Sequence, residues 1–159
     1  MTILRNLAAT LLLIPVLALR SFAQDAEPAY PEPLGETVSD FAQALNATEE
    51  GRISRMLAEI NDATGVQIVV VTAAGLDGLN GGGMRLEAFG QALFEAWEIG
   101  DAKKNDGILI LIDVRSRESR ITLGAGYDRV YDDRAARVLA TTVLPDLRAG
   151  RLAQGIEAG

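Results

Sequence analysis

The amino-acid sequence predicts an α/β fold: a βαβ unit extended by an antiparallel hairpin strand, so that a small mixed sheet carries packed helices. Three observations carry this. Residues 66–72 (Val-Gln-Ile-Val-Val-Val-Thr) and 107–113 (Gly-Ile-Leu-Ile-Leu-Ile-Asp) are too evenly apolar for a sheet with one wet face, and read as buried central strands. Between them, Leu86, Phe89, Leu93, Phe94 and Trp97 mark the apolar face of a crossover helix over 84–97, so the flanking strands should be parallel with a right-handed connection. A charged turn at 114–118 then leads into a third strand at 119–124, antiparallel to the second.

The remaining elements follow in chain order. Residues 1–23 read as a secretory signal peptide: Arg5 is the positive n-region, 7–19 the leucine-rich h-region, and Ser21 and Ala23 the small residues before a cleavage site at Gln24. An uncleaved anchor is disfavoured because the apolar run is short for a span of ~20 residues and Arg20 interrupts it. Residues 24–36, with Pro28, Pro31 and Pro33, read as an extended linker, leaving one domain over 37–159. Residues 38–45 read as a short turn or helical piece. Asn46 is a helix N-cap with Glu49 at N3, and Ile53, Met56, Leu57 and Ile60 form one stripe on a helix ending near Gly65. Asn46-Ala47-Thr48 is also a glycosylation sequon, but the cap explains it more economically.

Residues 73–83 form a glycine-rich loop, and Trp97 is expected to seat the crossover helix against the sheet. After the third strand, Asp132 or Asp133 should start a helix carrying Ala136, Leu139 and Val143, broken at Pro145. A last stretch runs from Gly150.

Composition limits the chemistry. The 159 residues contain no histidine and no cysteine, which removes zinc sites, Ser-His-Asp and Cys-His nucleophile systems and disulfides. Carboxylates, guanidinium groups, hydroxyls and backbone remain, pointing to oxygen-rich cation binding or to no catalysis. Loss of Arg5 and Arg20 with the signal leaves 13 basic against 22 acidic residues, a net charge of −9. Such a chain repels nucleic acid and anionic lipid and attracts cations or basic surfaces. No second apolar run of spanning length follows the signal, and a cysteine-free exported chain relies on packing, which suits a periplasmic or secreted location.

Strand direction sorts the acidic residues. Both parallel strands begin at one edge of the sheet, after Asn61-Asp62 and after 101–106, and the antiparallel third strand exits there toward Asp128, Asp132 and Asp133. Carboxylates crowded together raise one another's pKa unless a cation neutralises them, and calcium takes six to eight oxygen ligands from loops of this kind. The simpler reading is that loop aspartates cap helices and solvate turns. There is no EF-hand pattern. The opposite edge offers Asp77, Gly81-Gly82-Gly83 and Arg115-Ser116-Arg117, but no GxxxxGK[ST] signature, so a flexible loop is expected. Gly124-x-Gly126 lacks a third glycine and follows a hairpin strand, which rules out a dinucleotide fingerprint.

Taken in order, Val38-Ser39-Asp40, residues 65–72, Leu93 to Gly100, Asn105 to Leu111, Arg120 to Tyr127 and Leu144 to Gly150 resemble the TPM domain family, the match covering about 34–159. The resemblance implies a three-layer α/β/α sandwich, export, and frequent tethering by a downstream membrane helix. It also implies calcium in some members, a phosphatase activity proposed for plant members, and roles in assembling or repairing membrane complexes. The positions matching family acidic motifs are Asp40, Asp106, Asp132 and Asp133, the metal set the resemblance implies. The family commonly has Asp-Asn-Gly where this chain has Asn105-Asp106-Gly107, its 78–83 stretch is shorter, and its members continue past the position of Gly159. The chain is therefore expected to be either a minimal soluble version or a truncated reading frame. Two functions compete: a non-catalytic module docking on envelope or membrane protein complexes, with calcium stiffening its loops, and a divalent-metal-dependent phosphatase using Asp106 or Asp132 as ligand or base.

Overall fold

The computed structural model describes residues 30–159. The expected signal peptide and the first half of the linker lie outside the described residues. The sheet has four strands in the order β1 (Val38–Asp40), β2 (Ile68–Ala73), β3 (Ile108–Asp113) and β4 (Glu118–Leu123). The first three are parallel and β4 is antiparallel to β3. Among the described residues, five α-helices accompany it: α1 (Ala47–Thr64), α2 (Leu86–Ala96), α3 (Arg129–Val138), α4 (Leu144–Arg148) and α5 (Leu152–Ala158).

Residue alternation builds three layers. Val70, Ile110 and Ile112 face α1 and the C-terminal helices, packing with Ile53, Leu57, Val143, Leu147 and Ile156. Val69, Val71, Leu109 and Leu111 face α2, packing with Phe89, Leu93 and Ile99. Both faces of β2 and β3 are dry, which is why their sequences carry no polar alternation.

Helix α1 forms as its sequence demands. The Asn46 side chain accepts the amides of Thr48 and Glu49, Glu49 returns to the Asn46 amide, and Gly65 ends the helix in the left-handed region at φ 76°. Trp97 follows α2 and donates its indole N–H to the Pro31 carbonyl at 2.9 Å, tying the incoming linker to that layer.

Three expectations are corrected. Residues 38–40 are a strand and not a turn or helical piece. Their polar pair is tolerated inside because Ser39 Oγ accepts the Leu34 amide and Asp40 is fully engaged by the following loop. Pro145 does not break the helical run. One wide π-type turn at Leu139–Val143 precedes it and places it in the first turn of α4, where a missing N–H costs nothing. The preceding helix starts at Arg129, with Asp128 in the N-cap position, ahead of the expected Asp132 or Asp133.

Candidate functional site

The edge where β2 and β3 begin is closed by interlocking loops. In the 101–106 loop, Asp101 Oδ1 accepts the amides of Lys103 and Lys104, both at 2.9 Å, and the Asn105 amide returns to the Asp101 carbonyl at 2.7 Å. The Lys104 amide, then that of Lys103, hold the Asp101 carboxyl below its ordinary range. Asp106 Oδ1 accepts the Asp101 amide at 3.3 Å, and its Oδ2 lies 4.0 Å from the Lys104 ammonium.

The connection leaving β4 locks onto this loop through backbone. Gly124 donates to the Gly107 carbonyl and Gly126 to the Asn105 carbonyl, each at 2.9 Å. A Cβ on Gly124 would stand 2.1 Å from the Asn105 oxygen, and one on Gly126 2.1 Å from the Lys104 oxygen. Close backbone approach therefore explains this Gly-x-Gly pair. Tyr127 completes the lock by donating its hydroxyl to the Asp106 carbonyl at 2.8 Å. Burial first, then the Asp106 and Tyr131 charges, push the Tyr127 pKa up from 10.0.

The sequence-predicted acidic set divides. Tyr127 stacks edge-on to Tyr131 with ring centroids 5.4 Å apart, which brings the start of α3, with exposed Asp132 and Asp133, to the same edge as Asp106. Asp40 lies elsewhere. It ends a strand parallel to β2 and β3, so it stands at the edge where those strands finish. Its carboxylate accepts the Ala44 amide at 3.1 Å, the Leu45 amide at 2.9 Å and the Thr72 hydroxyl. Among the described residues no three acidic side chains gather closely enough to hold an ion. Asp40, Asp106, Asp132 and Asp133 do not fit one calcium centre in this arrangement.

Asp40's edge also holds Asp113, which residue-type reasoning passed over. Asp113 Oδ1 accepts the amides of Gly75 (3.0 Å), Arg115 (2.9 Å) and Ser116 (3.4 Å). The available signal was a lone carboxylate ending an apolar strand directly before a turn. The loop expected to be flexible is folded: Leu76–Leu79 is a 3₁₀ turn, and Gly81 packs beneath the Phe89 ring.

A family model of the TPM domain matches residues 38–159. The chain belongs to the TPM domain family. Among solved structures, this TPM domain is similar to the N-terminal domain of a P. gingivalis protein, at 27% identity and TM-score 0.67, over 77% of this chain and 76% of that one. It shares its fold with the N-terminal domain of the cg2496 protein of Corynebacterium glutamicum, at 16% identity and TM-score 0.61, over 82% and 78% of the two chains. The same holds for the BA42 protein of Bizionia argentinensis, at 19% identity and TM-score 0.60, over 72% and 75%. No curated protein matches the chain.

Arg115 pairs with Asp77 at 3.2 Å, and Glu87 pairs with Arg85 at 3.3 Å and Arg120 at 3.4 Å, all near the edge opposite Asp106. A transferred phosphoryl group needs cations converging on it beside the acid–base or metal-holding groups. Here the paired guanidinium groups of Arg85, Arg115 and Arg120 lie away from the Asp106 edge, whereas Arg129 and Arg134 stand on the first turns of α3 beside it.

Proposed function

We propose that this TPM domain is an exported, non-catalytic binding and assembly module of the cell envelope, periplasmic or secreted, acting on envelope or membrane protein complexes and not on nucleic acid. The observation that carries the reading is the separation just described, together with a sequence that offers no imidazole or thiol. Its buried aspartates, Asp40 and Asp113, accept loop amides, a structural use of both carboxylates. Among the described residues no helix is long and apolar enough to cross a membrane.

The runner-up is a divalent-metal-dependent phosphatase, with Asp106 or Asp132 as ligand or base. Hydrolysis of a generic phosphate ester with and without divalent cations, in wild type and Asp106→Ala, separates the two. The module reading expects no turnover above buffer in either protein.

Calcium in the acidic loops is favoured by one observation, the Tyr127 link that brings Asp106 and the start of α3 to one edge. It is weakened by the absence of a three-carboxylate group among the described residues. A thermal melt with calcium tests it.

A further inference from the structure

β1 and β4 form the two edges of the sheet, and they are finished differently. β1 is three residues long, and the Leu34 amide donates to the Ser39 side chain beside it. β4 pairs six residues with β3 in unbroken register. It contains neither proline nor lysine, the residues that commonly blunt a free edge.

The pairing fixes which backbone groups are free. Gly124 donates to the Gly107 carbonyl across from it. By antiparallel alternation, the backbone groups of Glu118, Arg120 and Thr122 turn toward β3, and those of Ser119, Ile121 and Leu123 turn outward. Among the described residues no hydrogen bond reaches the outward three. β4 therefore presents three amide donors and three carbonyl acceptors along one line.

Side chains of the same strand also lack partners. Among the described residues, the buried side-chain atoms without a hydrogen bond are Ser119 Oγ, Arg120 Nε and Thr122 Oγ1, all of them on β4. Thr122 is only 4% exposed, and a hydroxyl buried without a partner is costly. Arg120 and Thr122 share the α2 face: Thr122 Oγ1 lies 3.1 Å from where a Cβ on Gly90 would stand, and Arg120 reaches Glu87 at 3.4 Å.

A second copy of the same strand answers both deficits. Two β4 strands laid antiparallel have one register in which every outward group of each copy meets an outward group of the other. Ser119 then stands opposite Leu123 and Ile121 opposite itself, with each pair exchanging its amides and carbonyls. A shift of two residues either way sets a strand residue against Arg117 in the β3–β4 turn or Ala125 beyond the strand. The same register places Arg120 opposite Thr122 of the other copy, once on each side of the axis. Directly opposed Cβ atoms stand ~4.5–5.5 Å apart, within reach for a guanidinium N–H to donate to a hydroxyl. Ser119 Oγ, on the other face, meets Leu123. A strand of arbitrary sequence would satisfy the backbone but not the Arg120 and Thr122 side chains.

We propose that this TPM domain pairs with a second copy of itself through antiparallel β4 strands, joining the two four-stranded sheets about a twofold axis at Ile121. The pairing does not depend on the assembly reading.

The test is mass by sedimentation equilibrium and amide exchange by NMR on the purified protein, from micromolar to roughly millimolar concentration. The mass should rise from one chain to two. As it does, the Ser119, Ile121 and Leu123 amides should become protected, while those of Arg120 and Thr122 are protected throughout. Ser119→Pro removes only an outward-facing donor and should keep the mass of one chain, its melt confirming that it folds. Thr122→Val deletes the unpaired buried hydroxyl. It should raise the melting temperature of the dilute protein and weaken the dimer about tenfold, opposite directions that a purely structural role would not produce. A one-chain mass at every concentration would overturn the proposal. So would a dimer whose three outward amides exchange as fast as in dilute protein, or an unchanged dimer in folded Ser119→Pro.

Discussion

Tyr127 donates its hydroxyl hydrogen to the carbonyl oxygen of Asp106 across 2.8 Å, joining the loop before β3 to the loop after β4. The bond bridges 21 residues of sequence and rests on a backbone approach that only Gly124 and Gly126 permit. Tyr127→Phe should lower stability by about 1 kcal/mol, the usual net worth of one such bond, and should raise the exchange rates of amides in the 101–107 loop. An unchanged melt with unchanged exchange would mean that the loops hold together without it.

The same edge should respond to pH at both extremes. The Tyr127 pKa is raised in the folded protein, so its contribution is complete below the ordinary value of 10.0 and fades as pH climbs through the raised folded value. The Asp101 pKa is lowered, so its contribution is present above 3.8 and fades as pH falls through the lowered folded value. Tyr127→Phe should flatten the alkaline limb of the stability–pH curve alone, and Asp101→Asn the acid limb alone. A crossed result would contradict the assignment of these limbs.

Gly124→Ala places a methyl group against the Asn105 carbonyl oxygen, 2.1 Å from the ideal Cβ position. Because backbone, not a flexible side-chain end, must move, we expect a loss of ~2–3 kcal/mol in urea unfolding, with the slope unchanged. A loss below 0.5 kcal/mol, on the order of an ordinary surface change, would show that the contact is loose.

Asp40→Ala removes the acceptor for the Ala44 and Leu45 amides and the Thr72 hydroxyl, in a residue only 8% exposed. At 1–3 kcal/mol for each buried group left unpaired, and with water reaching some of them, a loss of ~3 kcal/mol is expected. Asp106→Ala, at a carboxylate held by one amide and a distant ammonium, should cost less than half of that. The reverse order would return Asp40 to the status of a functional carboxylate.

Much of the fold was legible because burial on both faces writes itself into sequence: β2 and β3 had to be continuous apolar runs, and α1 carried its cap and its stripe. Strand β1 was not legible. At three residues, two of them polar, its strand character depends on Asp40 and Ser39 finding partners 4 or more residues away, which no periodicity reveals. That one omission put Asp40 on no definite edge, and pairing with β2 assigns it to the edge far from Asp106. Strand direction did bring the 101–106 and 124–128 loops together. It could not say that backbone contacts between glycines would fill the space in which carboxylates were expected to meet. Pro145 misled for a similar reason, since a π-type turn upstream has no sequence signature.

Calcium tests that gap. With Asp40 remote and saturated, and no cluster of three carboxylates among the described residues, the expected melting temperature is unchanged by millimolar calcium. Calcium at 100 times its dissociation constant would instead add ~2.7 kcal/mol, and a rise of that order, removed by Asp106→Asn and kept by Asp40→Asn, would establish an ion at this edge.

The most direct measurement is steady-state hydrolysis of p-nitrophenyl phosphate by the purified protein with magnesium, calcium or manganese, in wild type and in Asp106→Ala. With Arg85, Arg115 and Arg120 engaged in ion pairs away from the Asp106 edge, the domain should show no turnover above buffer with any ion, and no difference between the two proteins. Metal-dependent turnover in the wild type that disappears in a folded Asp106→Ala protein would contradict a binding module and make the chain an enzyme.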